Sequence, residues 1–449
     1  MHPPNANASV SGVQKAGRAA ADFVAMAGRY MVDSGQRNRM REVLKRDGMT
    51  RAQRRIAAAE LAAAPAAARA YAGLAATSLS MASIRMDAGI PAHLNLLIGE
   101  VVPGAVFAGI HTAITVARSM TATLDVPLRV VMLDFTTMDN TPAVISRYLA
   151  DEFALSGVEI VRREELCGRQ FGSADIWLAT HSKTAHAAQV ASEAGIIDRA
   201  RVAYLIQDYE PGFSPWSTES TVAAATYHAG FVPIVNSFPL ATFLVAQEGE
   251  TVPDELVFAP SFDLERLAAT AARRSSGGPA RVLFYARPSK HRNLFQLGVS
   301  ALRSTVLALG PEAEGIDFVS AGEHHDDLEL GRGLTLRSLG RLGWDDYFEL
   351  LSTSAVVLSL QASPHPSHPP FDAAISGATA ITNDFADTRT HLHPRIVAVA
   401  AETTSLADAL VAAIRATGDA GGYLPVKPGL LGNPLDEVVR AAVARLRPS

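Results

Sequence analysis

The feature that most constrains this chain is a series of short, almost uninterrupted apolar runs separated by helix-like stretches, and the series occurs twice. The first half carries HLNLLI, LRVVMLDF, VEIV, ADIWLAT, RVAYLIQD and FVPIVNS. The second carries RVLFYA, IDFVSAG, LTLRSLG, AVVLSL and ATAITN. An apolar run without polar alternation suits a strand covered on both faces, as parallel strands are. Segments such as Ala108–Met120 and Lys183–Glu193 read as the helices between them, so the pattern predicts an α/β protein with two similar halves in succession. At 449 residues the chain is too long for one ordinary core. The segment APSFDLERLAATAARRSSGGPA reads as a break and places the boundary near Pro260–Pro279. The predicted organisation is residues 1–90 as a disordered start and helical appendage, 91–262 as an N-terminal domain, and 279–449 as a C-terminal domain. The last helix, Pro434–Leu446, is in a position to pack back across the boundary.

Composition narrows the function classes. Hydrophobic residues at 48% and charged residues at 19% describe a packed soluble protein. A net charge of −5 argues against nucleic acid as the main partner. Residues 1–80 nevertheless carry 12 Lys+Arg against 5 Asp+Glu. Residues 17–80 read as helices rich in strong helix formers, expected to pack on the first domain. The alternative reading is peripheral contact with an anionic membrane surface at the inner face of the cell membrane. The single cysteine, Cys167, rules out an intramolecular disulfide and a thiolate metal cluster. No signal-peptide pattern and no uncharged run of the ~18 apolar residues needed to span a bilayer is found, so a cytoplasmic location is expected.

In open α/β sheets, ligands sit beyond the carboxyl ends of the strands, so the loops after the predicted strands are the places to search. After RVLFYA come Arg287, Lys290 and Arg292, three cations within six residues, suited to a diphosphate because a guanidinium pairs with phosphate oxygens through two parallel bonds. A solvated basic turn is the plainer alternative. After AVVLSL, four prolines stiffen a loop holding Ser363, His365, Ser367 and His368. A helix follows with Asp372 in its first turns, and its N-terminal amides are expected to offer an anion site. His365 and His368 lack an obvious third partner for a metal. After RVAYLI come Asp208, Tyr209 and Glu210, with Glu219 nine residues beyond Glu210; paired carboxylates suit acid–base work or hydroxyl binding, or else cap a helix. Gly109 and His111 follow the first strand in a stretch that matches neither a dinucleotide fingerprint nor a Walker motif. His181, after ADIWLAT, is a further candidate, although a lone histidine is more often structural.

Together these loops resemble glycosyltransferase family 4, and more narrowly its bacterial rhamnosyltransferases of the WsaF type. The resemblance rests on QDYEPGFSPWSTES, TYHAGF, FYARPSKHRN, SLGRLGWDDYFELL and SPHPSHPPFDAAISGATAITN, in order, over roughly Leu94 to Arg389. It implies the GT-B fold: two Rossmann-like domains facing a cleft, the N-terminal one for the acceptor and the C-terminal one for a nucleotide sugar, here with an N-terminal helical appendage. It implies Arg287 and Arg292, with Lys290, as the diphosphate-binding cations and Asp372 as the ribose-binding carboxylate. Ser338 to Leu342, including Gly340, together with Tyr347 would line the base pocket.

Two departures from the wider family stand out. Its usual Glu is Asp at 372, and Pro364 and His365 replace a second Glu eight residues earlier. Contacts to the donor sugar therefore fall to Ser363, His365 and Ser367. The resemblance further implies retention of anomeric configuration, no metal and no cofactor beyond the nucleotide-sugar donor, with dTDP-rhamnose expected, and a glycan acceptor in surface-polysaccharide synthesis. Arg287, Arg292, Asp208 and Glu210 are the catalytic candidates; Gly109, His111, His181, Tyr209 and Glu219 are the acceptor-side candidates. The rival readings are a sugar-nucleotide 2-epimerase on the same fold and a non-catalytic binding module.

Overall fold

The protein is described by a computed structural model over residues 77–103, 108–134, 141–274, 280–416 and 421–446. The helical appendage expected over residues 17–80 lies outside the described residues except for its last four. The apolar runs form parallel strands, as their composition requires. The first series gives β2 (Leu94–Ile98), β3 (Leu128–Met132), β4 (Glu159–Arg162), β6 (Ile176–Ala179), β7 (Val202–Ile206) and β8 (Val232–Asn236), and a short strand not read from the sequence, β9 (Val257–Phe258), completes one sheet of order β4-β3-β2-β6-β7-β8-β9. Two short strands, β1 (Arg85–Asp87) and β5 (Gln170–Gly172), pair separately.

The second series gives β10 (Arg281–Ala286), β11 (Asp317–Gly322), β13 (Leu334–Ser338), β14 (Val356–Ser359) and β15 (Thr379–Asn383), with β16 (Ile396–Val399) added beyond the runs read from the sequence. A further strand, β12 (Leu328–Gly331), joins the edge antiparallel to β13, and the order is β12-β13-β11-β10-β14-β15-β16. Both sheets thus reverse their winding direction once, the second of them between β10 and β14. Two parallel-sheet, Rossmann-like halves of this kind make the fold GT-B.

The intervening helices are α1 (Ala108–Leu124), α2 (Pro142–Phe153), α3 (Ser182–Glu193), α4 (Thr218–Tyr227) and α5 (Phe238–Glu248), then α6 (Leu264–Ala272), α7 (Phe295–Leu309), α8 (Trp344–Thr353), α9 (Pro369–Ile375), α10 (Thr403–Arg415) and α11 (Leu435–Leu446). No described helix is long and apolar enough to cross a membrane. The stretch read as a break between halves contains a helix, α6, whose start is capped by Asp263 accepting from the Arg266 amide at 3.0 Å.

The chain divides into two compact units. One comprises residues 1–118, 126–177 and 183–198, and the other 119–125, 178–182 and 199–449. In the first unit, β2, β3 and β4 are parallel neighbours. A buried polar network joins them: Arg129 donates to Glu159 at 2.5 Å, Asn95 at 3.0 Å and Asp175 at 3.1 Å. Asp175 also accepts from Asn95 and from the His93 amide, so its buried charge is fully bonded. In the second unit the β10–β16 sheet is covered on both faces. Val282, Phe284 and Leu358 pack against Leu302 of α7 and Leu410 of α10, while Leu283 and Val319 pack against Leu351 of α8 and Phe371 of α9. The last helix, α11, lies against β8, and the preceding Asn433 pairs with β9 through its backbone at 2.9 and 3.0 Å.

Packing on the first of these faces is tight at one point. A Cβ on Gly298 of α7 would overlap the ring of the fully buried Phe284, which stacks on Phe295 at 5.9 Å. Gly298→Ala gains up to ~1 kcal/mol of helix propensity but overpacks the core by about 1–3 kcal/mol. The variant is expected to melt several degrees below wild type by calorimetry, and an unchanged melting temperature would show that this interface has slack.

Candidate functional site

The second sheet reverses between β10 and β14, and a crevice beyond the carboxyl ends is expected at such a point. The basic loop and the proline-rich loop leave these two strands, and the structure stitches them together. The Ala362 amide donates to the Arg292 carbonyl at 2.6 Å, and the Asn293 side chain donates to the Leu360 carbonyl at 3.3 Å. Neighbours at β11 and β15 complete the frame.

On the β11 side, Gly322 sits at φ +133°, where only glycine is at ease, and a Cβ there would strike the Ala286 carbonyl. This close approach lets the Glu323 amide donate to that carbonyl at 2.8 Å. The Glu323 carboxylate then accepts from the Ser289 amide at 2.9 Å and the Ser289 hydroxyl at 2.8 Å, and lies 3.6 Å from the Arg287 guanidinium. Those bonds and charges hold Glu323 below the usual carboxylate range in spite of its partial burial. Lys290 is exposed, and its amide closes the turn onto the Arg287 carbonyl at 3.0 Å.

On the β15 side, Arg389 is 1% exposed and acts as an internal clamp. Its guanidinium donates to the carbonyls of Asn383 at 2.6 Å, Gln361 at 2.8 Å and Ser363 at 2.5 Å. Asn383 adds a reciprocal pair with the backbone of Gln361, at 2.8 and 3.1 Å. Burial depresses the Arg389 guanidinium to about 10.

Within the second unit these loops meet the loop after β7. The Ser363 hydroxyl donates to the buried Asp208 carboxylate, which also accepts from the Tyr209 amide at 2.8 Å. Burial raises the Asp208 carboxyl, while the Ser363 bond, Arg292, the Tyr209 amide and Arg389 pull it back. The Arg292 guanidinium lies 4.2 Å over the ring of Phe213. His365 accepts the Ser367 amide on Nδ1 at 3.2 Å, with Ser367 itself at φ +63°. Burial, with Arg389 and Arg292 nearby, lowers His365 to about 4. His368 lies against Phe262 and is also lowered by burial to about 4.

Asp372 is almost fully buried in α9, accepts the Tyr347 hydroxyl at 3.2 Å, and is pushed up to about 7 by that burial. The amides of α9 do not form the anion site expected of them. Pro369 and Pro370 have no N–H, and the Phe371 and Asp372 amides both donate to the His368 carbonyl at 2.9 Å. Gly340, at φ +67°, accepts the Gly322 amide at 2.9 Å and so belongs to the frame of the β11 loop.

The remaining candidates are placed less centrally. Glu210 is buried, accepts the Ser182 amide at 2.6 Å, and lies 3.3 Å from His181. It therefore caps a helix start and orients the His181 ring, which faces Phe213 at 6.4 Å. Tyr209 turns away to donate to Glu248 at 2.6 Å. Glu219 is exposed in the first turn of α4 and accepts from Ser214 at 3.2 Å. Gly109 and His111 lie on α1 in the first unit, where His111 is exposed and packs on Phe153 at 5.0 Å. Glu323, Arg389 and Asn383 were not singled out from the sequence. Of the three, Glu323 carried a signal, since a Gly-Glu pair ends a predicted strand.

Among the described residues no group of three or more His, Cys, Asp or Glu side chains is arranged to hold a metal ion. The arrangement offers fixed guanidinium charge, a set of oriented hydroxyls and a buried carboxyl that titrates near neutrality.

Known proteins place this geometry in context. Residues 93–238 match the N-terminal domain of WsaF and residues 280–411 match its C-terminal domain. The O-antigen biosynthesis protein RfbC of Myxococcus xanthus is 31% identical over 290 residues, 63% of this chain; the match spans only 21% of that relative's length. The apo structure of OtsA superposes with a TM-score of 0.50 at 10% identity, over 80% of this chain and all of that one, a likeness of fold alone. Anabaena HepE in complex with UDP superposes with a TM-score of 0.48 at 15% identity, over 79% of this chain and 96% of that one.

The raised Asp372 has a consequence for stability. The folded protein keeps this proton up to about pH 7, whereas an unfolded aspartate releases it near ~4. Folded stability therefore falls as pH rises from about 4 to 7. Asp372→Asn removes that penalty, so its advantage over wild type in urea melts should be small at pH 4 and reach the order of 1–4 kcal/mol above pH 7. An advantage that does not grow with pH would mean that Asp372 ionises normally.

Proposed function

The chain belongs to the WsaF family, and we propose that it is a retaining glycosyltransferase that moves rhamnose from dTDP-rhamnose to a glycan acceptor in surface-polysaccharide synthesis. The observation that carries this reading is the stitching of the Arg287–Arg292 loop to the Ser363–Asp372 loop at the reversal point of the second sheet. The WsaF matches and the O-antigen relative support the choice of sugar-transfer chemistry.

In this reading Arg287, Arg292 and Lys290 hold the donor diphosphate. Their positive charge stabilises it as it departs, an effect worth several kcal/mol when the groups are fixed in advance. Asp372, aligned by Tyr347, takes the ribose hydroxyls. Ser363, His365 and Ser367 face the glycosyl end, where no carboxylate stands in the place of the family's usual Glu. Asp208 presents the Ser363 hydroxyl, and His181, held by Glu210, binds an acceptor hydroxyl with Tyr209 and Glu219 further out. The acceptor attacks from the face the diphosphate leaves, and a donor phosphate oxygen takes its proton. That sequence needs no protein nucleophile.

Arg292→Ala is the test. Transfer from dTDP-rhamnose should fall by about 10²–10³-fold with the circular dichroism spectrum and melting temperature little changed. The wild-type product, analysed by NMR, should keep the anomeric configuration of the donor. Near wild-type transfer by the variant, or an inverted product, would overturn the corresponding part of the proposal.

A further inference from the structure

His365 holds a contradiction that a ligand resolves. Its Nδ1 accepts the Ser367 amide proton at 3.2 Å, so Nδ1 carries no hydrogen. A neutral imidazole must then carry its proton on Nε2. The residue as a whole is partly exposed, yet the Nε2 atom is out of contact with solvent and has no hydrogen-bond partner among the described residues. An unpaired buried donor is unfavourable by the full desolvation of its N–H, and native proteins rarely leave one unanswered.

The surroundings select the missing acceptor. Burial disfavours a charged ring, and Arg389 and Arg292 lie close enough to add to this. On the Asp208 side the carboxylate is engaged by the Ser363 hydroxyl, which also accepts the His365 amide at 3.2 Å. Two guanidinium groups and a donor-only N–H favour an oxygen that is anionic and accepts without donating. A phosphate oxygen meets both conditions, whereas a sugar hydroxyl brings a proton that needs its own acceptor.

We propose that the Nε2–H of His365, closed to solvent without ligand, becomes a neutral donor for a β-phosphate oxygen of a nucleoside diphosphate once neighbouring side chains shift to admit it. It supplements the cationic loop with a hydrogen bond whose proton is not lost or gained across the neutral range. The inference rests on the donor-site reading above and assigns to His365 the phosphate rather than the sugar.

The experiment uses the full chain, with dTDP, dTDP-rhamnose, UDP and dTMP as probes. His365→Leu fills the same space and removes the unanswered donor, so its melting temperature should equal or exceed that of wild type. Its calorimetric affinity for dTDP should fall 10–100-fold while that for dTMP changes less than 3-fold. His365→Gln, whose amide nitrogen can stand where Nε2 stands, should recover most of the loss. In protein labelled with 15N-histidine, His365 should show the Nε2–H tautomer from pH 5 to 8, and dTDP should move that proton downfield.

An equal loss for dTDP and dTMP, a loss confined to dTDP-rhamnose, or an Nδ1–H or charged ring at pH 7 would each overturn the assignment. Wild-type protein that binds neither dTDP nor UDP would overturn the donor-site reading itself. That result is distinct from binding that His365→Leu leaves intact.

Discussion

Burial of parallel strands on both faces is the constraint from which the rest follows. Such strands must be apolar along their length, so the polar groups that bind and react are displaced to the strand ends. In the second sheet β10 and β14 are neighbours although 69 residues of chain, 287–355, separate them, and the cationic loop and the proline-rich loop emerge side by side. The site is thus assembled by strand order. Its charges lie far apart in sequence and are brought together by ladder hydrogen bonds between residues that contribute no chemistry.

Two charged side chains convert that adjacency into a fixed geometry. Arg389 ties the loop after β14 to the loop after β15 through backbone carbonyls, and Glu323 ties the loop after β10 to the end of β11. Both are ionised groups spent on structure within the frame that positions Ser363 and Arg287. A carbonyl clamp by guanidinium is well suited to this task, because five donors in one plane satisfy several orphan acceptors at once.

Much of this was legible in advance, for physical reasons that can be named. Eleven of the strands in the two sheets announce themselves as apolar runs, because a doubly covered strand has little polar alternation. The loops were legible through their charges and prolines. The edge strand β12 was not, because Leu328–Gly331 is mixed in polarity and only Leu330 is fully buried, which is what an edge allows. Helix α6 was hidden by the Ser-Ser-Gly-Gly stretch beside it, although its apolar residues recur at helical spacing. The amides of α9 were read as an anion site from their position, but two prolines and an internal bond to His368 consume them. Arg389 and Asn383 gave little signal because their importance depends on which strands are neighbours, and adjacency in a sheet is not adjacency in sequence.

The carboxyl of Asp372, poised near pH 7, has one more consequence. If ribose hydroxyls donate to its ionised form, a bound nucleotide lowers its proton affinity. Ligand capture at neutral pH then expels a proton into the medium. The apparent heat of association would include the ionisation heat of whatever buffer takes up that proton. Two laboratories working in phosphate and in Tris would measure the same affinity with different enthalpies, and the difference divided by the gap in buffer ionisation heats would count the protons released.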